Sequence, residues 1–130
     1  MIAFSYDYDR SYDGPALPVI EVILHSLEND STLVEPHALV DSGADATIVP
    51  LEYLQQIGAR RVDSVRLKPL QGPSYRVDIY EVGIRIGNYP TLKVYAAADT
   101  YNEGVILGRD VLNQFIVTLN GLASVVEVSQ

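Results

Sequence analysis

A chain of 130 residues, 48% hydrophobic and 20% charged, can build one modest core and is too apolar to be a disordered segment. Its formal net charge of −8 argues against nucleic acid and anionic membranes as partners, since both need basic faces. With no cysteine and only His25 and His37, the chain cannot assemble disulfides, thiol catalysis, a cysteine zinc site, a histidine-based hydrolase or an HExxH centre, so no metal or cofactor is expected.

The elements read as mostly β. Ile2 to Tyr8 alternates and predicts a strand; the start of the chain, Met1 to Tyr8, lacks a basic leader and a signal-like core, and no apolar run approaches bilayer length, so a cytoplasmic location is expected. Asp9 to Pro18 carries Asp13-Gly14-Pro15 and predicts a loop. Asp7, Asp9 and Asp13 lack the glycine and terminal glutamate of a calcium loop. Val19 to Leu27 predicts a strand, Glu28 to Ser31 a turn, and Thr32 to Val40 a second strand interrupted at Pro36. Leu51, Leu54 and Ile57 are spaced three apart, which predicts a helix over Pro50 to Ile57 ending at Gly58.

Val62 to Leu70 and Tyr75 to Ile86 predict a hairpin closed by a four-residue turn, Gln71 to Ser74, with Tyr75 and Tyr80 as strand packing. Arg60-Arg61 reads as a solvated face. A turn at Gly87 to Pro90, a strand at Leu92 to Ala98 and a short helix at Asp110 to Gln114 follow. Phe115 to Leu119 and Leu122 to Val128 flank Asn120-Gly121, the pair that suits a type I′ turn. No internal repeat is present.

The chemistry concentrates in Ala38-Leu39-Val40-Asp41-Ser42-Gly43-Ala44-Asp45-Ala46-Thr47-Ile48-Val49-Pro50. One carboxylate sits on a tight turn between two apolar arms, an environment in which carboxylates are hydrogen-bonded and their acidity tuned. The motif occurs once, so chemistry that needs two such carboxylates needs a second copy of the chain. Across a two-fold axis the two acids would share one proton, because like charges a few Å apart resist joint ionisation. The ionised member then takes a proton from water and the protonated member donates to a carbonyl oxygen, which is amide hydrolysis without metal or covalent intermediate. Ser42 holds the loop and Gly43 permits the tight backbone.

With Ile106-Leu107-Gly108-Arg109-Asp110-Val111-Leu112 as a second motif, the sequence resembles the retropepsins, the single-domain aspartic proteases of retroviruses and their cellular and bacterial relatives. Leu39 to Asp45 matches the catalytic loop of that family, with Ser42 where viral members usually carry threonine, and the second motif matches the signature that leads into the C-terminal helix. The resemblance covers Val19 to the C-terminus. It implies an all-β, retropepsin-like acid protease barrel, closed or partly open, with one or two short helices, active as a homodimer on a peptide or protein substrate. Residues 1–18 would be an N-terminal strand or extension, and 19–130 the protease domain.

The same resemblance implies catalytic roles for Asp41, Ser42 and Gly43, substrate contacts from Ala44, Asp45, Gly72 and Pro73, and a structural ion pair between Arg109 and Asp45. If the pair is partly buried, removing one partner should cost on the order of 3 kcal/mol. Gly72 and Pro73 belong to a flap poorer in glycine than viral flaps. Ser124 to Val128 is the candidate for a terminal strand that ties two copies together. Paired carboxylates imply an acid optimum, roughly pH 4 to 6. The other reading is a dimeric peptide-binding or scaffold module on the same fold, taking a peptide by β-addition with little or no proteolysis.

Overall fold

The computed structural model describes residues 2–101 and 104–130; Met1, the first residue of the expected N-terminal segment, lies outside them. Among these residues the strands form two sheets, with two short helices. The larger is a nine-stranded, curled and partly open sheet. It contains β2 (Val19–Glu21), β3 (Ile23–His25), β4 (Leu33–Val34), β5 (His37–Val40) and β6 (Ile48–Pro50), then β7 (Arg60–Leu67), β8 (Tyr75–Arg85), β9 (Leu92–Asp99) and β10 (Val105–Leu107). The strand order is β2-β5-β10-β6-β9-β8-β3-β4, and β7 pairs with β8 alone. Helix α1 (Leu51–Gln56) follows β6, and α2 (Arg109–Leu112) follows β10.

The core lies inside the curl, where Ile20, Leu24, Leu54, Val82, Ile84 and Leu107 are at most 1% exposed. Alternation puts the strand residues among these on one face of each strand, α1 adds Leu54, and the removal of these side chains from water is the main force holding the curl closed.

The second sheet is three-stranded, β1 (Phe4–Asp7), β12 (Val125–Ser129) and β11 (Ile116–Asn120), in that order. β12 was expected to offer a strand to a second copy, but β1 and β11 occupy both of its edges within the chain. Phe4 and Phe115 both pack against the ring of Tyr89, with centroids 5.4 and 5.5 Å from it, which anchors the chain start to the larger sheet.

Four other expectations change. Val19 to Leu27 is two strands, because β2 pairs with β5 while β3 switches to β4 and β8. Ile48 and Val49, unassigned in the sequence, form a central strand with Pro50, which was expected to open the helix, and the unassigned Val105–Leu107 forms another. The hairpin of β7 and β8 closes by seven residues, 68–74, since pairing stops at Leu67 opposite Tyr75. Proline at 69 and 73 removes two backbone donors from the connection, so the ladder ends earlier than the apolar pattern suggested. The Asn120-Gly121 turn is a four-residue loop: the Ala123 N–H donates to Asn120 Oδ1 (3.0 Å), and Ser124 (φ 56°), not Gly121, takes the left-handed conformation.

On β8, Glu81 accepts from Arg60 (2.9 Å) and lies 3.3 Å from Lys93 Nζ, with its own side chain 14% exposed. The hydrogen bond from Arg60, aided by Lys93, holds the Glu81 carboxyl below the usual carboxylate range. A depressed folded value means this contribution is complete above the ordinary glutamate range and disappears as pH falls through the folded one. Urea midpoints of wild type and Glu81→Gln should therefore differ at pH 7 and converge toward pH 3; a constant gap would show that the charge contributes nothing.

Candidate active site

The Asp41 turn is built by the strand order. β10 lies parallel to β5 with Leu39 opposite Ile106 and antiparallel to β6 with Ile48 opposite Ile106, so the two sequence motifs become neighbours. Asp41 leaves the end of β5 with its N–H donating to the Leu107 carbonyl (3.1 Å). The chain then reverses, the Ala44 N–H donating to the Asp41 carbonyl (3.1 Å) and the Gly43 N–H to Asp41 Oδ1 (2.9 Å). Asp41 is half-buried, and Ser42 and Gly43 are exposed.

The second motif braces this turn from behind. Arg109 donates through its N–H to the Ala44 carbonyl (2.9 Å), through Nη1 to the Ser42 carbonyl (2.7 Å) and through Nη2 to Asp45 Oδ1. Gly108 lies so close that a side chain would meet the Ala46 carbonyl carbon at 2.6 Å and its oxygen at 2.7 Å. Its absent Cβ is what lets the two motifs touch.

Two residues to which the sequence reading gave no role complete the brace. Thr47 is fully buried; its hydroxyl donates to Asp110 Oδ1 (2.7 Å) and accepts from the Gly108 N–H (3.1 Å), while its own N–H donates to Asp110 Oδ2 (3.0 Å). Asp110 Oδ1 also accepts from the Val111 N–H at the start of α2 (2.9 Å). A threonine within the apolar arm that follows Asp41 was the available signal, since a buried hydroxyl requires a partner.

The ion pair differs from expectation in its surroundings. Asp45 is 91% exposed and Arg109 41%, so water screens the pair and its coupling falls below about 1 kcal/mol. Arg109→Ala should still cost about 2 kcal/mol, because the Ser42 carbonyl loses a charge-assisted donor, whereas Asp45→Ala should be nearly neutral. A double-mutant cycle by urea denaturation reads both values; a large coupling would put the stabilising contact at Asp45 instead.

Ala44 and Asp45 lie on the Asp41 turn, whereas Gly72 and Pro73 lie on the far hairpin connection. Between that connection and the ends of β6 and β9 is a cleft of about 740 Å³, a size suited to small ligands and side chains. Gly72 and Pro73 line it; Asp41 does not. Register carries one continuous apolar wall across it, from Ile48 to its partner Ala97, and along β8 through Val77 to the Leu67–Tyr75 pair. Tyr75 is half-exposed on this wall, so it is not strand packing as expected, whereas Tyr80 does pack against the core.

Solved structures share this arrangement of strands. A retropepsin-like aspartic protease from Rickettsia conorii superposes with a TM-score of 0.68, covering 98% of this chain and 91% of that one, at 16% identity. The chain has the retropepsin fold. EIAV protease complexed with the inhibitor HBY-793 matches with a TM-score of 0.52, covering 79% of this chain and 91% of that one, at 21% identity. No family profile and no curated protein matches the sequence. Within the retropepsin fold seen here, Arg109 braces the Asp41 turn and the hairpin of β7 and β8 carries the separate cleft. No helix among the described residues is long and apolar enough to cross a membrane.

Proposed function

We propose that this chain is an aspartic endopeptidase that works as a homodimer. The observation that carries the reading is the Asp41 turn, fixed at the end of β5 by the Leu107 carbonyl and gripped by Arg109, on a retropepsin fold. The brace sets Asp41 in place before substrate arrives, which is the preorganisation that acid–base catalysis needs.

In the dimer one Asp41 is ionised and its counterpart protonated. The carboxylate removes a proton from water, the water oxygen attacks the peptide carbonyl carbon, and the protonated partner donates to the carbonyl oxygen. Collapse of the tetrahedral species transfers a proton to the leaving nitrogen and breaks the C–N bond, returning the pair to a single shared proton. Ser42 and Gly43 keep the turn tight. Ala44, Asp45, Gly72 and Pro73 contact the extended peptide, and the apolar wall from Ile48 to Leu67 receives one of its side chains.

The test is cleavage of a denatured protein from pH 3 to pH 7. A bell-shaped profile on the acid side supports the shared proton. No cleavage by a folded dimer at any pH would reject the reading. One observation favours the alternative of a peptide-binding module: the hairpin connection carries two prolines and one glycine, which stiffens the element that must move over substrate. Tight binding of a statine-type peptide without turnover of any substrate would select that module.

A further inference from the structure

Positive charge is unevenly spread along this chain. Residues 60–76, which comprise β7, the start of β8 and the connection between them, hold five of the nine basic residues and one of the 17 acidic ones. That stretch carries +4, so the rest of a chain of net −8 carries −12. Register then gathers the positive charge on one face. Arg66 stands directly opposite Arg76, and Arg61 stands opposite Tyr80. A register shift between Arg61 and Asp63 offsets the strand by one residue, which brings Arg61 and Arg66 to the same side of β7. Like charges directly opposed across two strands destabilise the pairing. Among the described residues Arg61 has Asp78 at 3.5 Å, Arg66 meets only the Ser74 hydroxyl (3.1 Å), and Arg76 and Lys68 have no hydrogen-bond or ion-pair partner. A carboxylate from outside the chain would relieve the opposed arginines.

The backbone beside this charge is open. β7 is eight residues long and pairs with β8 alone, so its other edge presents unpaired N–H and C=O groups. We propose that this edge binds an extended acidic peptide, which adds as a strand alongside β7 and sets its carboxylates against Arg61 and Arg66, with Arg76 adding its charge from the next strand. Guanidinium groups suit this task because each offers a carboxylate two parallel N–H donors. The other face of β7 offers Val65 and Leu67, so a peptide that alternates acidic and β-branched residues matches both faces. The arginines also reject wrong strands. Two copies meeting through β7 would set arginine near arginine, whereas an acidic strand meets its complement. Of β7 only Leu67 lines the cleft, so this edge lies outside it. On the protease reading the edge would hold an acidic stretch of substrate apart from the bond to be cut; that consequence rests on the reading, and the edge site does not.

The probe is a fluorescein-labelled peptide as long as β7, alternating glutamate and threonine, at pH 7 where glutamate is ionised. Its glutamine counterpart keeps the shape and the backbone donors without the charge. Fluorescence anisotropy should show the glutamate peptide binding at least about tenfold more tightly, with affinity falling as salt rises. Arg66→Gln combined with Arg76→Gln should bring the two peptides to within about twofold of each other, and Arg10→Gln, outside the hairpin, should change nothing. Hydrogen exchange should slow at amides within 60–67 when the peptide is added, which charge attraction without strand addition would not cause. Equal affinity for the two peptides, binding indifferent to the two arginines, or binding with no slowed amide in β7 would each overturn the site. So would slowing of the same amides on concentrating the protein alone, which assigns the edge to a second copy. Tighter binding of a single-stranded oligonucleotide than of the peptide would also overturn it, by assigning the charge to phosphate. Cleavage of a denatured protein without binding of the glutamate peptide would sink the edge site and leave the protease; peptide binding by a chain that cleaves nothing would do the reverse.

Discussion

Asp41→Asn should abolish cleavage while leaving the fold and self-association intact. The amide keeps the shape of the side chain and an oxygen to accept from the Gly43 N–H, which in wild type reaches Oδ1 at 2.9 Å. What it cannot do is ionise. With both members of the pair replaced, neither takes a proton from water and neither donates one to the carbonyl oxygen. Each proton transfer contributes roughly 10²- to 10⁴-fold, so a loss of at least about 10³-fold is expected. The assay is cleavage of a denatured protein at the acid optimum, with thermal melting and sedimentation on the same samples. Residual activity above a few per cent would mean that another group carries the chemistry. A lost melting transition would show that Asp41 serves the fold, and the statine-type peptide would then decide whether wild type still binds in the groove.

The largest effect on stability is expected at Asp110. Its carboxylate takes the Thr47 hydroxyl, the Thr47 N–H and the Val111 N–H, and Thr47 is fully buried. Asp110→Ala leaves two buried donors of Thr47 without an acceptor, and buried groups stranded in this way cost about 3 kcal/mol together. Thr47→Val on the Asp110→Ala background removes the stranded hydroxyl and should recover about 1 kcal/mol. It recovers no more, because the Thr47 N–H stays unpaired and the Gly108 N–H loses its acceptor. Urea denaturation of the four variants closes the cycle. Equal effects in both backgrounds would show that the hydroxyl and carboxylate do not act together.

What the sequence made legible followed local patterns. The turn at Asp41 shows because an apolar strand, a tight Asp-Ser-Gly and a second apolar arm are contiguous, and α1 shows because Leu51, Leu54 and Ile57 are spaced for one face. What stayed hidden depends on partners distant in the chain. Thr47 and Asp110 are separated by 63 positions, and nothing local in either segment marks them as a pair. The pairing of β12 with β1 joins opposite ends of the chain, so Val125–Ser129 looked like a strand awaiting a second copy. At Asn120-Gly121, a strong local turn signal lost to register. β1 and β11 hold Val126 and Val128 opposite Tyr6 and Phe4 and opposite Leu119 and Val117, and a two-residue turn would slide them four residues along β11. The exposed ion pair is a third kind of failure, since sequence pairs Arg109 with Asp45 but carries no measure of how much water reaches them.

The parallel pairing of β5 with β10 has a consequence for the life of the chain before it is finished. The Asp41 turn is fixed by Leu107, which accepts from the Asp41 N–H, and by Arg109, which holds Ser42 and Ala44; both leave the ribosome more than sixty residues later. Contacts so remote in sequence close slowly, and during synthesis the early segment emerges and collapses without them. An incomplete chain therefore exposes the acid on an unbraced turn, and the site forms only when the last strands dock. The braced turn therefore cannot exist on a nascent chain that has not yet released Leu107 and Arg109.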